Sequence, residues 1–197
     1  MPAFRRWPLP DPSDRRPAVF LDRDGNIAEE VGHLNHLDRF RMFPFVPEAI
    51  RRLNEAGVRV VVVTNQSGAA RGYFPELLVQ EVHERLRREL AERGARLDAL
   101  YCCPHGSAAR CACRKPKPGM LHRAAEELGL DIQRSFVVGD RYADMELAFN
   151  GGARAILVKT GYGLGELAWH AQEWPRQPDC VTENLESAVD WILRENQ

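Results

Sequence analysis

"AVFLDRDGN", residues 18–26, opens as a short apolar run and closes on two aspartates and an asparagine. The run lacks the apolar–polar alternation of a strand with one wet face, and it is too short for a buried helix. A strand covered on both sides, as in a parallel sheet, is the element that fits. "VRVVVV" (58–63), "FVVGD" (136–140) and "ARAILVK" (153–159) have the same character. Between them lie amphipathic stretches with legible ends. "PEAIRRLNEAG" (47–57) starts at a proline and stops at a glycine, and "FPELLVQEVHERLRRELAERG" (74–94) carries the same punctuation over a longer run. "KPGMLHRAAEELG" (117–129) and "RYADMELAFNGG" (141–152) also end in glycine, and "NLESAVDWILREN" (184–196) makes a last helix. Strands alternating with helices predict an α/β, Rossmann-like three-layer sandwich with a mostly parallel central sheet. Ligands of such sheets sit outside the carboxyl ends of the strands, where the strand order reverses, so chemistry is expected just after each apolar run.

At 197 residues the chain suits one well-buried domain, expected over residues 18–197, behind a tail over residues 1–17 that holds five prolines and four arginines. That tail lacks the apolar centre of a signal peptide, and no segment reaches the roughly 18 apolar residues of a membrane span. A cytoplasmic protein without a membrane partner is expected. With 27 basic residues against 28 acidic ones the chain has no overall field for nucleic acid, so phosphate recognition has to be local.

The first strand delivers Asp22 and Asp24 to one edge of the sheet. Two close carboxylates repel unless a cation joins them or one takes a proton. Hard oxygen ligands of this kind suit Mg²⁺, which keeps several waters and shares its shell with substrate phosphate. A calcium loop is the competing reading, but its sixth position would be Ile27 instead of glycine and its twelfth His33 instead of glutamate. A plain polar turn is the remaining alternative. "VTNQSGAARG" (63–72) ends the second strand with the Thr64 hydroxyl and the amides of Asn65 and Gln66; Arg71 adds a forked phosphate donor. "VVGDRYAD" ends a later strand at Asp140, with Asp144 one turn into the next helix. Asp140 alone would read as a helix cap. Beside Asp22 and Asp24 it reads as a third magnesium ligand.

"YCCPHGSAARCACRKPKPGM" (101–120) gathers four of the five cysteines. Cys103, His105, Cys111 and Cys113 supply three thiolates and an imidazole, a tetrahedral set for Zn²⁺. Disulfides are the alternative, but cysteines one residue apart bridge poorly and a cytoplasmic chain keeps its thiols reduced. Four protein ligands leave no open position, so this zinc is structural. Arg114 and Lys115 follow at once, so the clamped loop is expected to aim them at the carboxylates. Cys102 is expected to point away, and Cys180 reads as a small hydrophobe.

"FLDRDG", "VTNQSGAARG", "CRKPKPGM" and "VGDRYADM", in this order, resemble the haloacid dehalogenase superfamily of aspartate-nucleophile phosphatases. Within it the zinc-carrying loop, "QSGAARG" and "RKPKPGM" are similar to the D-glycero-D-manno-heptose 1,7-bisphosphate 7-phosphatases and their relatives the histidinol-phosphate phosphatases. The resemblance covers about residues 18 to 160 and implies the following. Asp22 attacks phosphorus and forms an aspartyl-phosphate; Asp24 protonates the leaving oxygen and then activates water. Mg²⁺ is held by the Asp22 carboxylate, the Asp24 backbone carbonyl and Asp140. Thr64 and Lys115 bind the transferring phosphoryl group, and Asn65, Arg114 and Arg141 orient substrate; Gln66 and Arg71, read from the residues themselves, join the expected substrate-binding set. The expected substrate is a small phosphorylated sugar, losing its 7-phosphate in nucleotide-heptose synthesis, and the expected state is a monomer that binds no nucleic acid. Asn26 departs from the family pattern, and the zinc loop is short. Some forty residues separate Asp24 from Thr64, too few for a separate cap domain, so specificity is expected from "EEVGHLNHLDRF" (29–40) and the zinc loop, where His33 and His36 are either sugar contacts or merely exposed. The alternatives are a histidinol-phosphate phosphatase, a DNA 3′-phosphatase and a zinc-stabilised binding module without catalysis.

Overall fold

The computed structural model describes residues 15–195. The greater part of the expected tail, residues 1–14, lies outside the described residues; Arg16 is bridged in parallel to Leu130. Six strands make one sheet: β1 (Ala18–Leu21), β2 (Arg59–Asn65), β3 (Ala99–Cys103), β4 (Phe136–Gly139), β5 (Arg154–Val158) and β6 (Cys180–Thr182). All pairings are parallel, in the order β3-β2-β1-β4-β5-β6.

Alternate residues of each strand enter opposite layers, as a period of two requires. Val19, Leu21, Val60, Val62 and Val138 pack under α1 (Val46–Glu55), α2 (Glu76–Ala91) and α6 (Leu185–Glu195). Phe20, Val61, Val63 and Val137 pack under α3 (Gly119–Leu128) and α4 (Tyr142–Gly151). Every residue of β1 is fully buried, which is why its sequence shows no alternation. Truncating Phe20 to alanine would cost roughly 3–5 kcal/mol at such a site.

Helix ends follow local chemistry. Pro47 sits in the first turn of α1, and α3 stops where Gly129 takes φ +63°. The sequence reading has no counterpart for α5 (Gly163–Trp169) and β6. Both are short and partly exposed, so neither leaves an apolar run. Cys180 belongs to β6 and packs, half-buried, against the core.

Between Asp24 and Thr64 the chain forms a loop with one short helical turn at Leu37–Arg39, then α1 and β2. No separate cap domain stands there. The strand order reverses between β1 and β4, so the crevice opens at Asp22, just after β1, and Asp140, just after β4.

Candidate active site

Three carboxylates meet at that crevice. Asp22, Asp140 and Asp144 each offer an oxygen, and these lie within 4.8 Å of one another. Asp22 Oδ1 accepts the Arg23 backbone N–H at 2.7 Å, and its Oδ2 stands 2.8 Å from Lys115 Nζ. Lys115 reaches Asp144 as well, at 2.7 Å. Asp140 Oδ2 accepts the Tyr162 N–H at 2.8 Å. Gly25 lies against it with φ +77°, and a Cβ there would sit 2.0 Å from Asp140 Oδ2. Only glycine allows both that backbone and that approach.

Crowding of like charge leaves its mark on the acids. Burial, with Asp144 and Asp22 alongside, pushes the Asp140 carboxyl up to about 8. Burial also raises Asp22 to about 6, against the pull of Lys115. Burial alone would lower the Lys115 pKa, but Asp144 and Asp22 hold it above the ordinary lysine value. Lys115 answers only part of the negative charge. Hard oxygen donors with charge to spare are the set a small divalent cation takes.

The sequence grouped the Asp24 carboxylate with Asp22 and Asp140. In the structure that side chain turns to other partners, and Asp144 supplies the third clustered carboxylate. Asp24 accepts Arg23 Nε at 2.9 Å on Oδ1, and Arg23 Nη2 and Gln66 Nε2, both at 2.7 Å, on Oδ2. Asp144 was legible only through its spacing from Asp140, four residues along a helix that starts between them.

A cavity of about 380 Å³ opens above this floor. Asp22, Asp24, Thr64, Asn65 and Gln66 line it from the strand ends, and Arg71, Arg114, Lys115 and Arg141 line its walls. Asp140 lies buried beneath. Thr64 Oγ1 is buried and accepts Gln66 Nε2 at 2.9 Å. Both polar atoms of Asn65 are engaged by the Lys115 backbone, Oδ1 by its N–H at 3.1 Å and Nδ2 by its carbonyl at 3.3 Å. Arg114 donates to the His105 carbonyl at 2.9 Å, and the Arg141 guanidinium lies 3.7 Å from the centre of the Tyr162 ring. His33 lines the cavity beside Glu30. His36 instead accepts the Asp38 N–H at 3.2 Å, within its own loop. Asn26 is fully buried and donates to the carbonyls of Asp22 and Val138, at 3.3 and 3.1 Å.

Beyond Arg114 lies the cysteine cluster. Among the described residues every cysteine is free. Cys103 Sγ is 3.2 Å from Cys113 Sγ and 3.8 Å from Cys111 Sγ, and His105 Nδ1 is 3.5 and 3.3 Å from Cys103 and Cys113. A tetrahedral zinc with ordinary bond lengths sets such edges at about 3.8 Å between sulfurs and about 3.6 Å from sulfur to nitrogen. Three of these four edges come within about 0.3 Å of those values, and the Cys103–Cys113 edge is the shorter one, so the donor set fits that ion. Cys102 is not part of the cluster.

Comparison with known proteins agrees with this geometry. The haloacid dehalogenase-like hydrolase family matches residues 14–148, and a related HAD hydrolase-like family matches residues 112–188. A D-glycero-D-manno-heptose-1,7-bisphosphate 7-phosphatase from Thermosynechococcus vestitus is 44% identical over 188 residues, 90% of this chain and 95% of that one. A D-glycero-beta-D-manno-heptose-1,7-bisphosphate 7-phosphatase from Escherichia coli is 42% identical over 186 residues, 90% of this chain and 88% of that one. The solved D,D-heptose 1,7-bisphosphate phosphatase from B. bronchiseptica, complexed with magnesium and phosphate, superposes with a TM-score of 0.84 at 36% identity, over 91% of this chain and 99% of that one. With the fold, the acidic crevice and these relatives in agreement, the chain belongs to the haloacid dehalogenase-like hydrolase family.

Proposed function

We propose that this protein is a Mg²⁺-dependent phosphatase that removes the 7-phosphate of D-glycero-D-manno-heptose 1,7-bisphosphate. The observation that carries the reading is the junction at Asp22: one oxygen held by a backbone N–H, the other by Lys115, and the whole carboxylate at the base of a cavity walled by arginines. Relatives sharing two-fifths of its residues over nine-tenths of the chain bear that activity in their names.

Asp22 attacks phosphorus, and the new O–P bond forms as the ester P–O bond breaks. Asp24 gives its proton to the departing sugar oxygen. Asp24, now a carboxylate, takes a proton from water, and the resulting hydroxide attacks phosphorus and cleaves the bond to Asp22. Phosphate leaves and both aspartates are restored. Lys115 and the Thr64 hydroxyl hold the equatorial oxygens while charge redistributes among them. Magnesium would be held by Asp22, Asp140 and the Asp24 carbonyl, and when bound it neutralises phosphoryl charge. Arg71, Arg114 and Arg141 bind the anionic remainder of the substrate; Gln66, whose two amide protons go to Asp24 and Thr64, holds those groups in place, and Asn65 fixes the backbone that carries Lys115.

Zinc on Cys103, His105, Cys111 and Cys113 is structural in this reading, and closes the loop that carries Arg114 and Lys115. The enzyme works as a cytoplasmic monomer on a small sugar phosphate, without nucleic acid or membrane. No helix among the described residues is long and apolar enough to cross a membrane. A phosphatase panel with and without Mg²⁺ tests the assignment. Preference for the heptose bisphosphate over histidinol phosphate is expected; the reverse preference would overturn the choice of substrate.

A further inference from the structure

Among the described residues Arg23 is the largest side chain that the fold buries completely, 1% exposed, and it stands between Asp22 and Asp24 without lining the cavity. A buried guanidinium needs partners for its charge and for its donors. Arg23 finds them in a fork. Its Nε and Nη2 close on the two oxygens of Asp24, and its Nη1 meets Nε2 of His83, on α2, at 3.3 Å. Arginine can only donate, so His83 must accept through Nε2 and carry its proton on Nδ1. That imidazole is neutral: burial, helped by Arg23, lowers its pKa to about 3.

The fork has a consequence for the two Asp24 oxygens. Oδ2 already accepts two donors, Arg23 Nη2 and Gln66 Nε2, and has no lone pair left. Oδ1 accepts only Arg23 Nε, which leaves one lone pair to hold a proton. The carboxyl is 17% exposed, and it lines the cavity beside Asp22.

We propose that Arg23 and His83 are positioning residues for proton transfer: His83 fixes the Arg23 guanidinium, and Arg23 fixes Asp24 so that Oδ1 is the atom that carries the proton. This rests on the reading of Asp24 as the general acid. Nothing in it requires His83 to touch substrate.

The test is leaving-group dependence in kcat/KM, which reports the first irreversible step. An alkyl ester such as the heptose bisphosphate needs a proton on its leaving oxygen, whereas p-nitrophenyl phosphate does not. His83→Leu should lower kcat/KM about tenfold on the sugar phosphate and less than about twofold on the aryl phosphate, a part of the roughly 10²–10⁴-fold that a placed acid supplies. His83→Gln, which returns an acceptor to Arg23, should restore most of the loss. Should His83→Leu not fold, Arg23→Lys reads the same selectivity, since it keeps the charge and loses the fork. Equal losses on both substrates, or none, would overturn the proposal. Asp24→Asn separates this from the underlying reading: if it leaves sugar-phosphate turnover intact, Asp24 is not the acid and both readings fall together; if it collapses turnover while His83→Leu shows no selectivity, only the positioning role falls.

Discussion

Lys115 Nζ stands 2.8 Å from Asp22 Oδ2 and 2.7 Å from Asp144 Oδ1, so one ammonium joins the end of β1 to the first turn of α4. Removing one partner from a buried ionic group leaves the others uncompensated, at a cost on the order of 3–5 kcal/mol. Lys115→Met should therefore lose both activity and stability. The expected drop in kcat is at least about a hundredfold, from losing charge stabilisation of the transferring phosphoryl group. Steady-state kinetics and thermal unfolding check the two halves, and a variant with unaltered kcat would show that Lys115 serves the fold alone.

Asp22→Asn should leave the fold in place and abolish turnover, because an amide cannot form the acyl phosphate. Residual activity above about a thousandth of the parent would point to a different nucleophile. Trapping helps here. Acid quench of the parent during turnover should recover phosphate on Asp22, and the variant should carry none.

The zinc loop links metal content to catalysis through Arg114 and Lys115. Cys111→Ser removes one of four ligands, and structural zinc sites draw folding energy from all of them. Zinc per chain, measured by atomic absorption, should fall well below one equivalent, and kcat should fall with it by about tenfold or more. Activity that survives full loss of zinc would separate the loop from the catalytic groups.

The strand ends were legible because two-sided burial writes itself as unbroken apolar runs, as at Ala18–Leu21 and Phe136–Gly139, and topology then fixes where their last residues go. The cysteine cluster was legible because its spacing is local: all four side chains fall within eleven residues, Cys103 to Cys113. Arg23 was not. An arginine between two aspartates reads as a solvated turn, and its other partner, His83, lies 60 positions away on α2. Likewise Asn65 reads as a phosphate ligand in "VTNQSG", but its amide is spent on the Lys115 backbone, 50 positions on. Contacts of that range depend on how β2 and the zinc loop meet, which no local pattern encodes.

Magnesium should stabilise the protein more as pH rises. Without a divalent cation, Asp140 and Asp22 hold protons up to about 8 and 6, while an unfolded aspartate releases its proton near 3.8. Carboxyl pKa values raised by folding give stability that is full below the unfolded value and is lost as pH climbs through the folded ones. The divalent cation reverses that loss, since it binds the ionised carboxylates. The rise in Tm on adding Mg²⁺ should thus be small near about pH 5.5 and larger near about pH 8.5. Dialysis removes magnesium while leaving the thiolate-bound zinc, so differential scanning calorimetry of the same preparation reads it directly. An increment independent of pH would mean that these carboxylates are not the site.

Asn26 tests the floor from below. Its Nδ2 donates to the carbonyls of Asp22 and Val138, which ties the residue after β1 to the end of β4, while its own Oδ1 is buried without a partner. Asn26→Ala removes that unpaired oxygen, a gain, but takes a donor from the Asp22 carbonyl and one of two from the buried Val138 carbonyl, which keeps the Asp22 N–H, a larger loss. The net expected cost is about 1–2 kcal/mol, or a Tm lower by roughly 2–8 °C for a chain of this size. Because the bond to Asp22 is to its backbone, the nucleophile's pose should suffer with it, and kcat should fall by several-fold with KM nearly unchanged. Asn26→Asp provides the contrast. It keeps the size of the side chain but sets a carboxylate against two carbonyl oxygens and beside Asp22, so it should be the less stable of the two variants. If Asn26→Asp were instead as stable as the parent, the carbonyl-tying role of the amide would be refuted.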